Sequence, residues 1–138
     1  MAASGFLRDN EEIRPPDVFS TIQKRLSIME DCLFCRIVRG DIPSQKVYED
    51  DDVLAFRDIH PKAPVHFLII PKKHITSLAE AEPEDAPLLG KMLSLTRTLA
   101  LQEGCRNGFR VIINTGRDGG QEVGHLHIHV LGGPQPWK

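Results

Sequence analysis

An α+β fold, an antiparallel sheet with its helices gathered on one side, is the class this sequence predicts. Three observations point to it. Short β-like runs bounded by turn residues recur along the chain, and one long segment carries apolar residues at helical spacing. A hexapeptide near the C-terminus, His125-Leu126-His127-Ile128-His129-Val130, alternates histidine with aliphatic residues. Strands with one main helix between them make separate layers of sheet and helix, not a βαβ repeat. At 138 residues the chain suits one domain that buries a core without staples.

Residues 1–31 read differently from the rest and form an N-terminal extension. Asn10-Glu11-Glu12 and Pro15-Pro16 predict loop, after which Asp17 caps a short helix with Val18, Ile22, Leu26 and Met29 on one face. Either that helix docks on the domain or on a partner, or Met29 is the natural start; both readings stand. The domain proper runs over 32–138. Gln45–Glu49 and Val53–Ile59 predict strands around the acidic turn Asp50-Asp51-Asp52. His66–Ile70 predicts an apolar strand closed by Pro71. A helix follows from about Glu84 to Glu103. Leu88, Met92, Leu95 and Leu99 make its stripe, and Leu89, Leu93 and Thr96 widen it. Pro87 falls in the first turn and Gly104 at the C-terminal stop. Phe109–Asn114 predicts a strand, Thr115–Gly120 a glycine-rich turn, and Gly124–Leu131 the last strand.

Composition excludes several classes. Lys and Arg total 17 against 19 Asp and Glu, a formal charge of -2, which argues against a general nucleic-acid binder. The longest apolar run, Phe67-Leu68-Ile69-Ile70, is far short of the roughly 20 residues a membrane helix needs. Met1–Asn10 has no signal-peptide core, so a cytoplasmic location is expected. Three cysteines, two of them in Cys32-Leu33-Phe34-Cys35, suit a reducing compartment better than a disulfide framework. Cys105 reads as a small buried hydrophobe.

The hexapeptide carries most of the functional information. On a strand, alternate side chains share a face, so the three histidines point one way and Leu126, Ile128 and Val130 the other. The aliphatic face is core. Three imidazoles in a row have no packing rationale, because each ring needs polar partners. A solvated polar face or a three-histidine metal site would also fit the pattern. The preceding loop, Asn114-Thr115-Gly116-Arg117-Asp118-Gly119-Gly120-Gln121-Glu122, favours phosphoryl chemistry: glycines let successive N–H groups approach an anion.

His125-Leu126-His127-Ile128-His129-Val130 resembles the signature of the histidine-triad (HIT) family, and the resemblance runs from Cys32 to Trp137, about three-quarters of the chain. Phe56-Arg57-Asp58-Ile59, Ala63-Pro64-Val65-His66, Ile70-Pro71-Lys72-Lys73-His74, Gly119-Gly120-Gln121 and Leu131-Gly132-Gly133 look like its Hint branch of nucleoside phosphoramidases. The resemblance implies a HIT-like sheet and hydrolysis of purine nucleoside 5′-phosphoramidates to nucleoside monophosphate and amine. His127 would be the nucleophile, its second ring nitrogen held by the backbone carbonyl of His125. His129 would donate to a phosphate oxygen, and His66 would join the set near the leaving group. Asn114, Gly120, Gln121 and the amides around Glu122 and Val123 would line the phosphate. Asp58, beside Ile59, would take the ribose hydroxyls. Leu33, Phe34, Ile37, Ile42, Phe56 and Ile59 would grip the purine, although simple core packing accounts for the same six.

Glu122 departs from the serine of animal relatives; an inward carboxylate would repel phosphate, so it is expected to turn outward. The C-terminus is short, and Trp137 resembles a tryptophan that reaches the partner's active site in the family's dimer. Cys32, Cys35, His74 and His125 match the four ligands of a structural zinc in some bacterial members. The resemblance also implies a homodimer. The helix agrees with it, since Leu88, Leu89, Met92, Leu93, Leu95, Leu99 and Leu101 cover more than one stripe. A dinucleoside polyphosphate hydrolase and a nucleotide-binding interaction module are the competing functions.

Overall fold

Among the described residues, five strands form one antiparallel sheet in the order β1-β2-β3-β5-β4: β1 Lys46–Glu49, β2 Val53–Arg57, β3 Val65–Pro71, β4 Phe109–Ile112 and β5 Ile128–Gly132. A short helix, α1 (Leu33–Val38), precedes the sheet, and a long one, α2 (Ala86–Gln102), lies between β3 and β4. The computed structural model describes Gln23 and residues 31–137. The helix expected over residues 17–30 thus lies, but for Gln23, outside the described residues. Among them, no helix is long and apolar enough to cross a membrane.

Side-chain parity explains the layering. In β2, Val53 and Ala55 point to one face while Leu54 and Phe56 point to the other. In β3, Phe67 and Ile69 share the first face, Leu68 and Ile70 the second. The first face packs under α2 with Met92, Leu99, Ala100, Leu126, Ile128 and Val130. The second packs under α1 with Phe34, Cys35 and Ile37. The helices are therefore not gathered on one side, as the sequence suggested; each sheet face has its own. Unbroken apolar runs in β2 and β3 follow from this, because both faces of those strands are covered. Each fully buried Leu, Ile or Phe there contributes about 1.5–3 kcal/mol relative to exposure.

Helix α1 escaped the sequence reading because its cap is unusual. Cys32 is extended, and its thiol accepts the N–H of Cys35 at 3.3 Å, the role Ser or Asp normally takes. Helix α2 begins and ends near the expected places. A 3₁₀ turn over Pro83–Asp85 leads into it, with buried Asp85 bonded to the N–H of Glu82 and paired with Lys73. Gly104, at φ 96°, closes it in the left-handed conformation only glycine takes cheaply. Met92, Thr96, Leu99 and Ala100 are buried, whereas Leu93 and Leu101 stay 48% and 43% exposed. Lys91 ties the helix to the acidic turn through Asp50 at 2.8 Å and Asp52 at 3.1 Å. Cys105 is buried in the α2-side core, as expected of a small hydrophobe.

Three strand ends differ from expectation by two residues or more. β2 stops at Arg57 because Asp58 turns the chain, its carboxylate accepting the N–H of His60 at 2.8 Å. β4 stops at Ile112. β5 starts at Ile128, not Gly124: upstream of it the N–H of Leu126 goes to the carbonyl of Ile75 at 2.7 Å, so the chain leaves β3 to follow the segment after Pro71.

Candidate functional site

His125 and His127 therefore lie just before the last strand, yet the alternation of faces persists. Leu126, Ile128 and Val130 enter the α2-side core. The histidines line the α1 side: the ring of Phe34 packs edge-on against His127 at 5.2 Å and His125 at 5.9 Å, and the rings of His127 and His129 lie 4.9 Å apart. His66 joins them by parity with Leu68 and Ile70, since Leu68 is the register partner of His129.

Hydrogen bonds assign a proton to each ring. The Nδ1–H of His127 donates to the carbonyl of His125 at 2.7 Å, which leaves Nε2 as a lone pair. The backbone N–H of Lys62 donates to His66 Nδ1 at 3.1 Å, so the His66 proton sits on Nε2. That Nε2–H lies 3.0 Å from His129 Nδ1 and 3.4 Å from Asp58 Oδ2. His129 accepts, and its own proton is placed on Nε2. Burial, reinforced by the neighbouring imidazoles, pushes His129 down to about 4. Burial also lowers His66, against the opposing pull of Asp58. Both rings are neutral near pH 7. Asp58, His66 and His129 bring three ligating atoms together, but the Lys62 amide keeps the His66 lone pair off Nε2, which disfavours a cation there.

The glycine-rich loop is not the open nest that its composition suggests. Gly119, Gly120 and Gln121 spend their N–H groups on carbonyls of Gly116 and Arg117 within the loop. The Gln121 side chain accepts the N–H of Gly116 at 2.8 Å and donates to the carbonyls of Thr76 at 2.7 Å and Val123 at 2.9 Å. It acts as a staple joining the loop to the segment after β3. Among the described residues no hydrogen bond takes the N–H of Glu122 or Val123, so these two amides are free for an anion. The Glu122 side chain is exposed and Asn114 is half-buried.

Next to the triad lies a second cluster. Cys32 Sγ, Cys35 Sγ, His74 Nδ1 and His125 Nδ1 all fall within 4.8 Å of one another. His125 Nδ1 is 3.3 Å from Cys32 Sγ and 3.6 Å from Cys35 Sγ, and His74 Nδ1 is 3.2 Å from Cys35 Sγ. Around a tetrahedral cation with ordinary Zn–S and Zn–N bonds, a sulfur–nitrogen edge measures about 3.5 Å, so the donor set fits such an ion. The tautomer fits as well: His125 Nε2–H donates to the buried carbonyl of Pro71 at 2.9 Å, turning the Nδ1 lone pair to the thiols. Burial, with the adjacent Cys32 thiol, pushes the Cys35 thiol up to about 12, and burial pushes His125 down to about 4. A divalent cation is the partner that makes a thiolate favourable in so dry a place. A cavity of about 510 Å³ borders Cys32 and His74 and is flanked by Asp31, Leu33 and Glu122.

The six expected purine-slot residues divide. Phe34, Ile37 and Phe56 are buried in the α1-side core, with Ile42 packed at its edge. Leu33 and Ile59 are 44% and 86% exposed. Trp137 donates its indole N–H to the carbonyl of Gly133 at 3.0 Å beneath the guanidinium of Arg110, 5.0 Å from its ring. Sequence reasoning missed Pro71 and Lys62, because a carbonyl and an amide carry no side-chain signature. The Pro71 carbonyl is left over because β5 pairs with β3 only as far as Ile69–Ile128, which no side chain announces.

Comparison with known proteins agrees with this geometry. The family model described as HIT domain matches residues 39–135. Protein HitA of Neisseria gonorrhoeae is 53% identical over 106 residues, covering 77% of this chain and 99% of HitA. A HIT family hydrolase from Legionella pneumophila superposes with a TM-score of 0.74 at 49% identity, covering 76% of this chain and 95% of that one. A histidine triad protein from Clostridium difficile gives a TM-score of 0.74 at 48% identity, with coverages of 77% and 93%. With its sheet order, its row of histidines and these relatives in agreement, the chain belongs to the HIT family.

Proposed function

We propose that this chain is a nucleotide hydrolase that converts purine nucleoside 5′-phosphoramidates to nucleoside monophosphate and amine. The observation that carries the reading is His127, whose Nδ1–H is held at 2.7 Å by the His125 carbonyl and whose Nε2 lone pair is free. Nε2 attacks phosphorus, the bond from phosphorus to the amine nitrogen breaks, and the amine takes a proton from solvent. Water then splits the nucleotidyl–His127 bond and restores the ring. Dividing one displacement into two lowers each barrier. The Nε2–H of His129 and the unpaired amides of Glu122 and Val123 meet charge as it develops on the phosphate, beside Asn114 and Gly120. Asp58 takes the ribose hydroxyls, and the exposed Leu33 and Ile59 extend the Phe34–Phe56 core into a purine slot.

The same reading places a structural zinc on Cys32, Cys35, His74 and His125. When bound it would hold α1 to the segment after β3; it would touch none of the reacting atoms. The functional unit is a homodimer of the domain over 32–138, located in the cytoplasm. Steady-state assay of adenosine 5′-phosphoramidate beside diadenosine polyphosphates tests the substrate. The phosphoramidate is expected to turn over at least a hundredfold faster in kcat/KM, and the reverse order would replace this reading with the polyphosphate one.

A further inference from the structure

His125 belongs to two sites at once. Its ring is fully buried, with Nδ1 toward both thiols and Nε2 on Pro71, and it meets the ring of His74 edge-on at 4.9 Å. Its carbonyl is the acceptor that fixes His127. Only backbone bonds of one residue separate the two roles. The sheet does not hold this stretch, because the β5 ladder begins at Ile128. Among the described residues, two backbone bonds hold it instead: the N–H of His125 to the carbonyl of Val123 at 2.8 Å, and the N–H of Leu126 to that of Ile75 at 2.7 Å. The second bond joins the direct neighbours of His125 and His74, two of the four metal-type donors.

We infer that Cys32, Cys35 and His74 are positioning residues for the nucleophile, acting through His125, so that metal held by the four donors sets the rate at His127. This rests on the zinc reading above. With the His125 ring anchored, its carbonyl stays where a 2.7 Å bond to His127 forms. A shift of about 1 Å takes that bond out of range and frees His127 to rotate or to exchange tautomer, which misplaces the attacking Nε2. The effect falls on the chemical step and not on nucleotide affinity, since none of the three side chains is placed against substrate.

The test compares the protein as purified, after stripping with a strong chelator, and during back-titration with zinc chloride. One readout is the low-field proton resonance of His127 Nδ1–H, assigned by its loss in His127→Ala. The other is kcat against KM. Stripping is expected to shift or abolish the resonance and to lower kcat at least tenfold with KM within twofold, and both are expected to return along the zinc-binding isotherm. Met92→Ala, in the core on the other sheet face, controls for general destabilisation: it should lower Tm without moving the resonance or kcat. Should the stripped chain unfold, His74→Gln, which keeps three donors, is titrated with zinc in its place. A resonance and kcat flat across either titration, or moved equally by Met92→Ala, would overturn the inference, as would protein purified without metal. The resonance needs no substrate, so failure of the phosphoramidase reading is told apart from failure of this one.

Discussion

His66 and His129 stand on neighbouring antiparallel strands with Nε2 and Nδ1 3.0 Å apart, and that contact decides which nitrogen of His129 carries its proton. The Lys62 amide sets the His66 tautomer, His66 sets that of His129, and the chain of donors ends in the Nε2–H of His129. The arrangement works only while both rings are neutral.

Acid should therefore weaken the fold. His129 is pushed down to about 4 from an ordinary 6.5, so between those values the unfolded chain binds a proton that the folded chain refuses. Its contribution is full above pH 6.5, falls as pH drops toward 4, and levels below. The loss from this one ring is at most about 3–4 kcal/mol, at 1.36 kcal/mol per unit. Urea midpoints of wild type and His129→Asn at pH 7.5 and 4.5 check it: the wild type should lose more. Equal losses would remove His129 as the cause.

Replacing His127, which the proposed reaction uses as its nucleophile, should abolish turnover and spare binding. His127→Ala is expected to lower kcat by about a thousandfold or more while nucleotide Kd stays within a few-fold, the pattern of a group needed for covalent chemistry. Activity within tenfold of wild type would sink the assignment.

Metal content is a direct test of the Cys32–Cys35–His74–His125 cluster. Protein purified without chelator should carry about one zinc per chain by elemental analysis. Cys35→Ser should lose most of it together with several degrees of Tm, because binding a structural ion contributes to folding.

The remaining apolar surface predicts a second copy. Phe109 and Val111 on the edge strand β4 are 36% and 37% exposed, and Leu93 and Leu101 of α2 are more so. An edge strand with apolar residues and free backbone groups is removed from risk by pairing. Light scattering at micromolar concentration should give twice 15.5 kDa, and Val111→Lys should shift it toward one chain. A wild-type mass of 15.5 kDa would refute the dimer.

What the chain determined by itself was whatever depends on near neighbours. Alternation in His125–Val130 puts three imidazoles on one side whether or not the ladder reaches them, and it does not reach the first two. The spacing of Leu88, Met92, Leu95 and Leu99 specifies α2, and Gly104 its end, because caps and stripes are local geometry. Tertiary structure decided what depends on distant partners. Helix α1 forms on a thiol cap over a sheet face that the sequence reading left uncovered. Gln121 spends its side chain on Thr76 and Val123, so the glycine loop closes on itself. The tautomers of His66 and His125 follow from the amide of Lys62 and the carbonyl of Pro71. A backbone donor or acceptor is the same at every residue, so only the folded chain reveals which histidine it meets and which nitrogen it leaves free.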